Sequence, residues 1–440
     1  MKLLIKGCAI IPMTGKGNII HRGDLAIEGN RILALGPAGE LDHNGQLPAN
    51  WRPDRTFDGT GKVALPGLVN THTHAAMTYF RGYADDLELM PWLQEKIWPA
   101  EERLTAEDIY WGALLAIVEM LKSGTTCFAD MYMFMEQVAQ AAEVSGIRAS
   151  LARGMIGLGP DADRKLDEAS EFVQAWEGKV EGRITTKLGP HAPHTCPPAF
   201  LEKVMARADE LGVGLHIHLA ETRTEVEDVR ATYGETPVKL MEKIGLFNRP
   251  VLAAHCVHLT DEEIEILVRN AVGIAHNPES NMKLASGVAP IAKLLRAGAI
   301  VGLGTDSAAS NNNLDLLQEM RSASFLQKVT TQDPTTLPAY QVLEMATCGG
   351  ARALGLERDI GCLVPGYKAD LILVDLEKPH LYPCYDLTAQ LVYSALASDV
   401  HTVIVDGKIV VENGKVLSLD EREIMREVAR RAPRLVNRRN

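Results

Sequence analysis

The sequence predicts an α/β fold: a (β/α)8 TIM-like barrel with a small β-sandwich built from both termini. The centre of the 440-residue chain alternates apolar, β-rich runs with amphipathic helical segments. Both ends instead contain short strands separated by glycine and asparagine turns. A chain of this length exceeds one ordinary domain, but it accommodates an eight-unit barrel with a small appendage.

Eight apolar runs make up the predicted barrel. They occupy residues 64–74, 125–131, 148–156, 185–191, 213–220, 251–257, 273–277 and 300–306. Segments with helical periodicity lie between them, for example 106–122, 198–211 and 261–269. Strands that alternate with helices form parallel sheet, and eight such units close a barrel. An open, doubly wound sheet is the alternative, but polar residues end these runs, where barrel enzymes carry their sites.

The two ends of the chain predict a second, smaller unit. Short strands are expected near both termini, at residues 3–5, 25–27, 31–35, 370–374 and 402–411. In the last of these, Asp406-Gly407 between β-branched residues is typical of a tight hairpin. The predicted boundaries give a β-sandwich part at 1–63, the barrel at 64–364, and the rest of the sandwich with a terminal helix at 365–440.

Composition and charge restrict the partners. Hydrophobic residues make up 46% and charged residues 23% of the chain, which is typical of a soluble globular protein. The formal net charge of −12 argues against a nucleic acid, and the basic segment 422–439 is predicted to be a solvated helix. Seven cysteines without a CxxC pair are typical of a reducing compartment, and no signal peptide or membrane-spanning run is found. We expect a cytoplasmic protein that binds neither nucleic acid nor membrane.

Histidine pairs end two of the predicted barrel strands. His72 and His74 end the first run, and His216 and His218 lie at the end of the fifth. Side chains two residues apart on a strand share a face, so each pair can point into the barrel mouth. The deeper His216 is expected to be a packed, hydrogen-bonded histidine. Glu221 follows His218 by three residues, so its carboxylate can lean back over whatever His218 holds.

Two further strand ends carry metal-competent side chains. His255 ends the apolar part of the sixth run and Asp306 ends the eighth. Taken singly, His255 could be a core histidine and Asp306 a helix cap. Together with the histidine pairs, they predict a metal site at the mouth of one barrel. Three imidazoles and a carboxylate suit zinc, with iron(II) as the alternative, and such an ion lowers the pKa of water toward about 7.

These residues resemble the amidohydrolase superfamily over about residues 1–415. The resemblance rests on the segments LPGLVNTHTH, HIHLAE, HNPESN and GTD, at 65–74, 216–221, 276–281 and 304–306. Within that superfamily the chain is similar to the methylthioadenosine/S-adenosylhomocysteine deaminases and to their guanine deaminase and chlorohydrolase relatives. Three more segments point to the enzymes of adenosyl thioethers: RGYADD, WPAE and GPH, at 81–86, 98–101 and 189–191.

The resemblance implies a role for each candidate residue. One zinc ion per subunit would be held by His72, His74, His218 and Asp306. Glu221 would shuttle protons, His255 would hydrogen-bond the attacking water, and Asp306 would pass on the last proton. The implied substrate-binding residues are Trp92, Glu101, Arg153, His191, Glu221 and Ser310. Of these, Glu101 would accept hydrogen bonds from the ribose hydroxyls, and His191 would reach the sugar.

The implied activity is hydrolytic deamination of the adenine ring of 5′-methylthioadenosine, S-adenosylhomocysteine or adenosine, which releases ammonia. The alternatives are a guanine or 8-oxopurine deaminase, an s-triazine chlorohydrolase and, more remotely, an inactive scaffold; a ribose-binding Glu101 favours a nucleoside. Trp92 could instead be a rim aromatic, and Arg153 a paired structural arginine. His194 stands where relatives often have tyrosine, which bears on the 5′-substituent. The resemblance also implies a homo-oligomer, either a dimer or a tetramer.

Overall fold

The computed structural model describes residues 1–41, 46–87 and 91–436. Within them the backbone forms seventeen strands. They are β1 (Lys2–Ile10), β2 (Ile20–Glu28), β3 (Arg31–Pro37), β4 (Arg55–Asp58), β5 (Lys62–Pro66), β6 (Leu68–Thr73), β7 (Thr125–Tyr132), β8 (Arg148–Met155), β9 (Ile184–Pro190), β10 (Gly214–Leu219), β11 (Val251–His255), β12 (Gly273–His276), β13 (Ile300–Leu303), β14 (Leu371–Asp375), β15 (Val400–Val405), β16 (Lys408–Glu412) and β17 (Lys415–Val416).

Strands β6 to β13 form a closed parallel barrel, which confirms the predicted fold class. Each strand pairs with the next along the chain, and β13 closes the barrel against β6 through Leu303 and Asn70. The interior and the surrounding layer are apolar and tightly packed. All eight strands therefore end at the same rim, where the predicted site residues lie.

Helices follow the barrel strands and cover their outer face. The α-helices span Trp98–Glu101, Ala106–Lys122, Met135–Ser145, Ala162–Trp176, Lys179–Gly182, Pro198–Leu211, Arg223–Tyr233, Pro237–Lys243, Asp261–Arg269, Pro278–Lys283, Ile291–Arg296, Leu316–Thr331, Ala339–Glu344, Gly350–Leu354, Leu387–Tyr393 and Glu421–Leu435. Shorter 3-10 or π segments span Ala75–Phe80, Trp92–Ile97, Leu246–Asn248, Met345–Gly349, Pro379–Leu381 and Ala397–Asp399. None of the helices in the described part of the chain has the length and apolarity needed to span a lipid bilayer.

Local sequence explains where two of the longer helices begin. Thr105 and Asp108 form a reciprocal capping box at the start of Ala106–Lys122, and Thr260 and Glu263 do the same before Asp261–Arg269. Each box satisfies two backbone N–H groups that the first helical turn leaves free. Both helices have the bounds that the sequence predicts.

The first apolar run, 64–74, is not one strand but two in different sheets. The backbone N–H of Gly67 donates to the Asp370 carbonyl, whereas the N–H of Leu68 donates to the Gly124 carbonyl beside the barrel. A Cβ atom on Gly67 would lie 2.0 Å from Thr126 Oγ1, so only glycine permits this crossing. The terminal sheet therefore continues past the predicted boundary at residue 63, to Pro66.

The termini together build one nine-stranded sheet that curls on itself. Its strand order is β17-β16-β15-β14-β5-β1-β2-β3, with β4 also paired to β1. At its far edge, backbone hydrogen bonds join Ile32 to Gly366 and Tyr367, just before β14. Strands from both ends of the chain thus enclose one apolar core, so the predicted sandwich is a single continuous sheet.

The hairpin predicted at Asp406-Gly407 is confirmed. Val405 pairs with Lys408, so the turn between β15 and β16 contains two residues. Both have positive φ, 50° at Asp406 and 73° at Gly407, as a type I′ turn requires.

The C-terminal helix is less solvated than its charge predicts. Residues Ile424, Val428 and Leu435 of Glu421–Leu435 are buried, and Arg431 forms an ion pair with Asp108. The long arginines cover apolar surface while their charged ends find acidic partners. Positions 437–439 of the predicted basic segment lie outside the described residues.

A buried ion pair joins the base of the barrel to the terminal sheet. Arg148, the first residue of β8, donates from Nε to Asp370 Oδ2 at 2.7 Å and from Nη2 to Asp370 Oδ1 at 3.1 Å. Its Nη2 also lies 3.4 Å from Asp406 Oδ1, and all three side chains are buried. Removal of one partner leaves the remaining charges uncompensated in a medium of low dielectric.

We expect Arg148→Met to lower the free energy of unfolding by about 3–5 kcal/mol, because Asp370 and Asp406 stay buried with less compensation. Arg164→Met is the matched control: Arg164 pairs at the surface with Asp161 and Glu168, and its loss should cost at most about 1 kcal/mol. Urea denaturation of the three proteins measures the difference. Equal stabilities of the two variants would contradict a structural role for the buried pair.

Candidate active site

The C-terminal ends of the barrel strands bring the predicted metal-competent side chains together. Asp306 Oδ1 lies 3.6 Å from His72 Nε2 and 3.4 Å from His74 Nε2. The Nε2 atoms of His74 and His218 are 3.3 Å apart. Ligand atoms that share a tetrahedral zinc ion at roughly 2.0–2.2 Å are about 3.3–3.6 Å from each other. His72, His74 and Asp306 therefore have the spacing of one zinc-binding set, and His218 adjoins that set through His74.

Backbone carbonyls fix the tautomers of two of these histidines. His74 Nδ1 lies 2.5 Å from the Met131 carbonyl oxygen, and His218 Nδ1 lies 2.8 Å from that of His191. A carbonyl oxygen only accepts, so each Nδ1 carries the proton and each Nε2 presents a lone pair. Burial and neighbouring imidazoles hold the pKa of His218 well below its usual value, so its ring is neutral. Two lone pairs that face each other fit a shared cation.

His72 lies beneath this pair and is fully buried. Its Nδ1 is 2.9 Å from His216 Nε2, so His216 is the hydrogen-bonded, packed histidine that the sequence predicts. The Nε2 atom of His72 has no hydrogen-bond partner among the described residues, although it is shielded from solvent. A buried polar atom without a partner is rare, and a ligated cation accounts for this one. Burial also holds the pKa of His72 well below its usual value, so the ring is neutral.

Two serines orient the Asp306 carboxylate. Ser280 Oγ donates to Asp306 Oδ2 at 2.6 Å, and Ser310 Oγ donates to the same oxygen at 3.0 Å. Both bonds leave Oδ1 free to face His72 and His74. Asp306 has a φ of 56°, a conformation that costs free energy for a non-glycine residue and that clusters at functional sites.

Glu221 and His255 form a second pair beside the metal-competent set. His255 Nε2 lies 3.7 Å from Glu221 Oε2, while His255 Nδ1 lies 2.9 Å from Asn281 Oδ1. Burial raises the pKa of Glu221 above its usual value. Burial alone would lower the pKa of His255, but the negative charges of Glu221 and Asp306 outweigh it and raise the pKa. Both groups can therefore hold a proton at a higher pH than in water.

His255 also borders the metal-competent set directly. One ring nitrogen from each of His72, His218 and His255 lies within 4.8 Å of the others, as do the ligand atoms of His72, His74 and Asp306. The Nε2 atom of His255 faces Glu221, whereas the Nε2 atoms of His72 and His74 face Asp306. The contact with Glu221 suits a hydrogen-bonding group at the edge of the site.

A cavity of about 350 Å³ opens above these side chains. Its volume is in the range of small-molecule sites. Five of the six predicted substrate-binding residues line it: Trp92, Glu101, His191, Glu221 and Ser310. Apolar side chains form much of the rest, including Met77, Met133, Met155, Ile156 and Leu284. His194, which stands where relatives often have tyrosine, also lines this cavity.

Glu101 lines the cavity and is the last residue of the helix Trp98–Glu101. It accepts a hydrogen bond from the Tyr132 hydroxyl at 2.6 Å. Burial raises the pKa of Glu101, and the bond from Tyr132 opposes that rise. A carboxylate held by one donor keeps lone pairs free for the hydroxyls of a bound molecule.

The structure does not bring Arg153 to the cavity. Its guanidinium lies 2.5 Å from Glu168 Oε2 and 3.5 Å from Glu136 Oε2, on two helices that cover the barrel. Side chains alternate along β8, so Gly154 faces the cavity and its neighbour Arg153 faces the helices. The alternative noted from the sequence, a paired structural arginine, describes this geometry.

Three residues that orient the site have no role in the sequence interpretation. Ser280 holds Asp306, Asn281 holds His255, and Tyr132 holds Glu101. Ser280 and Asn281 belong to the segment at 276–281 that carries the resemblance. The sequence therefore marks this segment, although it assigns no role to these two residues. Tyr132 follows the second predicted run by one residue and gives no such signal.

Comparison with known proteins defines the family. The family model described as the amidohydrolase family matches residues 63–410, which is most of the chain. The chain belongs to the amidohydrolase family. The match includes all eight barrel strands and the side chains of the metal-competent set, so the resemblance seen in the sequence is confirmed.

This amidohydrolase is similar to named relatives and to solved structures over nearly its whole length. A 5-methylthioadenosine/S-adenosylhomocysteine deaminase from Pelotomaculum thermopropionicum is 59% identical over 436 residues, 99% of each chain. The crystal structure of an adenosine deaminase from Xanthomonas campestris with bound zinc superposes with a TM-score of 0.93 at 35% identity, over 98% of both chains. An atrazine chlorohydrolase from Arthrobacter aurescens complexed with zinc has a TM-score of 0.89 at 28% identity, over 98% of this chain and 100% of that one.

We expect Ser280→Ala to weaken zinc binding by the amidohydrolase about 10–100-fold, because residues that orient a ligand contribute on this scale. Competition with a chromophoric chelator measures the affinity. Ser324→Ala is the matched control, since Ser324 is equally buried but donates to the Leu337 carbonyl, away from the site. If both variants bind zinc as the parent does, Ser280 does not position Asp306.

Proposed function

We propose that this amidohydrolase uses one zinc ion to deaminate the adenine ring of a nucleoside, namely 5′-methylthioadenosine, S-adenosylhomocysteine or adenosine. One observation carries the proposal: three kinds of side chain meet at one cavity. They are the metal-competent residues, called the zinc-spaced set below, the Glu221–His255 pair that can hold a proton, and the buried acid Glu101. The 59% identical relative is named for the first two of these substrates, and the Xanthomonas campestris structure is named an adenosine deaminase.

The zinc would be held by His72, His74, His218 and Asp306. Neutral imidazoles and a carboxylate are ligands that zinc prefers, and iron(II) is the alternative. When bound, the ion supplies one chemical function, the acidification of water near neutral pH. The remaining chemistry belongs to the side chains.

Glu221 is the proposed proton carrier. Hydrolytic deamination requires a proton at N1 of the ring while water adds at C6 and the amino group leaves as ammonia. A carboxylate buried beside the ring can take a proton from the attacking water and give it to N1, because burial raises its pKa toward the working pH. Ser286 Oγ, 3.3 Å from Glu221 Oε1, holds the carboxylate in place.

His255 and Asp306 are proposed to complete the proton transfers. With its Nδ1 held by Asn281, His255 presents Nε2 toward Glu221 and can hydrogen-bond the attacking water. Asp306 keeps Oδ1 directed at the imidazoles and can pass the last proton to the leaving ammonia. Positioned proton transfers of this kind each contribute typically about 10²–10⁴-fold to the rate.

The rest of the cavity is proposed to bind the nucleoside. Glu101 would accept hydrogen bonds from the ribose hydroxyls, for which Tyr132 already orients one oxygen. His191, with Nδ1 2.9 Å from Thr195 Oγ1, would present its other nitrogen to the sugar. Trp92 and Ser310 also line the cavity and would contact the substrate. Arg153 is left out of this set because acidic partners hold it outside the cavity.

The alternative activities are less well supported. The atrazine chlorohydrolase shares the fold at 28% identity, far below the 59% of the relative named as a deaminase. A free base or a triazine has no ribose, so it would leave Glu101 buried without a partner in the substrate. A scaffold without activity would not need the complete zinc-spaced set. The homo-oligomer and the cytoplasmic location stay predictions from the sequence.

The activity itself is tested by measuring ammonia release from the zinc-loaded protein with 5′-methylthioadenosine, S-adenosylhomocysteine, adenosine and guanine side by side. We expect turnover of at least one adenine nucleoside, and turnover of guanine lower by orders of magnitude. Removal of zinc with a chelator should abolish the release, and added zinc should restore it. Preferred turnover of guanine would overturn the proposal.

We expect Glu221→Gln to lower kcat by about 10²–10⁴-fold, because glutamine cannot carry the proton, while zinc content stays stoichiometric. Steady-state kinetics and metal analysis on the same samples separate the two effects. Glu227→Gln, an exposed change on the next helix, is the matched control and should keep full activity. Near-normal turnover of Glu221→Gln would rule out its role as proton carrier.

A further inference from the structure

A second group of reactive side chains lies outside the cavity, on the helical stretch 339–354 that precedes β14. Tyr340, Glu344, Cys348 and Arg352 are each four residues apart, so they share one face of this helix. The face runs through three consecutive segments, Ala339–Glu344, Met345–Gly349 and Gly350–Leu354. None of these four described side chains lines the cavity or contacts the zinc-spaced set.

Cys362 packs against this face from the connection between the barrel and β14. The neighbouring Gly361 has a φ of 90°, and a Cβ atom there would lie 2.8 Å from Cys348 Cα, so the two backbones touch. The Cys348 and Cys362 thiols are close enough for each to shift the pKa of the other. Cys362 Sγ also lies 3.3 Å from the Met13 carbonyl oxygen, which holds it in place. Cysteines on backbones that approach this closely can bring their sulfur atoms to the S–S distance of about 2.05 Å.

The two thiols are electrostatically unequal. The neighbouring Cys362 thiol lowers the pKa of Cys348, and the nearby Arg352 guanidinium acts in the same direction. The Cys348 thiol in turn raises the pKa of Cys362, which keeps its proton. A thiolate beside a retained thiol is the arrangement of an attacking and a resolving cysteine.

The other described cysteines lack this arrangement. Cys8, Cys127, Cys196 and Cys256 are buried, and burial raises the pKa of Cys127 to about 12, which leaves it an unreactive thiol. Cys384 is exposed, on the segment after β14. Both members of the pair at 348 and 362 are only partly buried, so a small reagent can approach them.

We propose that Cys348 and Cys362 form a reversible disulfide site, oxidised by small disulfides of the glutathione type. The Cys348 thiolate attacks the glutathione disulfide, forms a mixed disulfide and releases one glutathione thiolate. Cys362 then loses its proton, attacks Cys348 Sγ and releases the second glutathione. In sum, the protein dithiol is oxidised by two electrons and one glutathione disulfide is reduced to two thiols. The bond joins the last barrel helix to the connection that enters the terminal sheet.

The test treats the full-length, folded protein with oxidised glutathione, blocks free thiols with iodoacetamide, and maps the peptides by mass spectrometry. We expect a cross-linked pair of peptides that contains Cys348 and Cys362, an intact mass lower by two hydrogens, and full reversal by dithiothreitol. Cys384→Ser is the matched control and should behave as the parent does.

Single variants separate the two roles. Cys362→Ser should stop at one bound glutathione on Cys348, since no resolving thiol is left, and Cys348→Ser should form no disulfide. Three results with the treated parent protein would overturn the proposal. They are alkylation of both thiols, a glutathione that stays bound to Cys348, and a disulfide between either thiol and another cysteine. If a variant fails to fold, the result with the parent protein still decides whether the disulfide forms.

Discussion

The site depends on the placing of unprotonated imidazole nitrogens around one carboxylate oxygen. The Nε2 atoms of His74 and His218 face each other at 3.3 Å, and both rings donate from Nδ1 to carbonyls at the ends of β7 and β9. The His191 carbonyl also accepts the backbone N–H of His218 at 2.9 Å, so one oxygen holds both the strand and the ring of that histidine. The barrel thus fixes the tautomers as well as the positions, and the facing lone pairs repel each other unless a cation lies between them.

Strand ends at this rim turn sharply, and they do so at or directly beside residues of the site. Ala220, His255 and Asp306 have φ values of 52°, 73° and 56°, each just past or at the end of a barrel strand. Such backbone conformations cost free energy and persist when the surroundings determine them. Here the surroundings are hydrogen bonds from Ser280 to Asp306 and between Asn281 and His255. The residues that orient the site also offset the strain of its backbone.

The sequence predicts the barrel and the zinc-spaced set because both follow local patterns: alternation of runs, and histidines two residues apart on one strand. It does not reveal that the run 64–74 changes sheets at Gly67, since both halves are apolar and periodicity is the same in either sheet. It also cannot place Arg153, whose direction depends on the register of β8 and on Glu136 and Glu168 in two helices. Contacts between distant segments, such as Tyr132 with Glu101, leave no local pattern.

Burial decides which side chains of the site hold a proton. Removal from water disfavours charge, so it lowers the pKa of His72 and His218 and raises that of Glu221. The same physical cause thus yields neutral imidazoles, which can ligate a metal, and a carboxylate that can hold a proton. His255 departs from this trend because Glu221 and Asp306 face it, and their charges raise its pKa. A ligand set and a proton-transfer pair therefore arise from one buried environment, and His255 belongs to the second because Glu221 lies beside it.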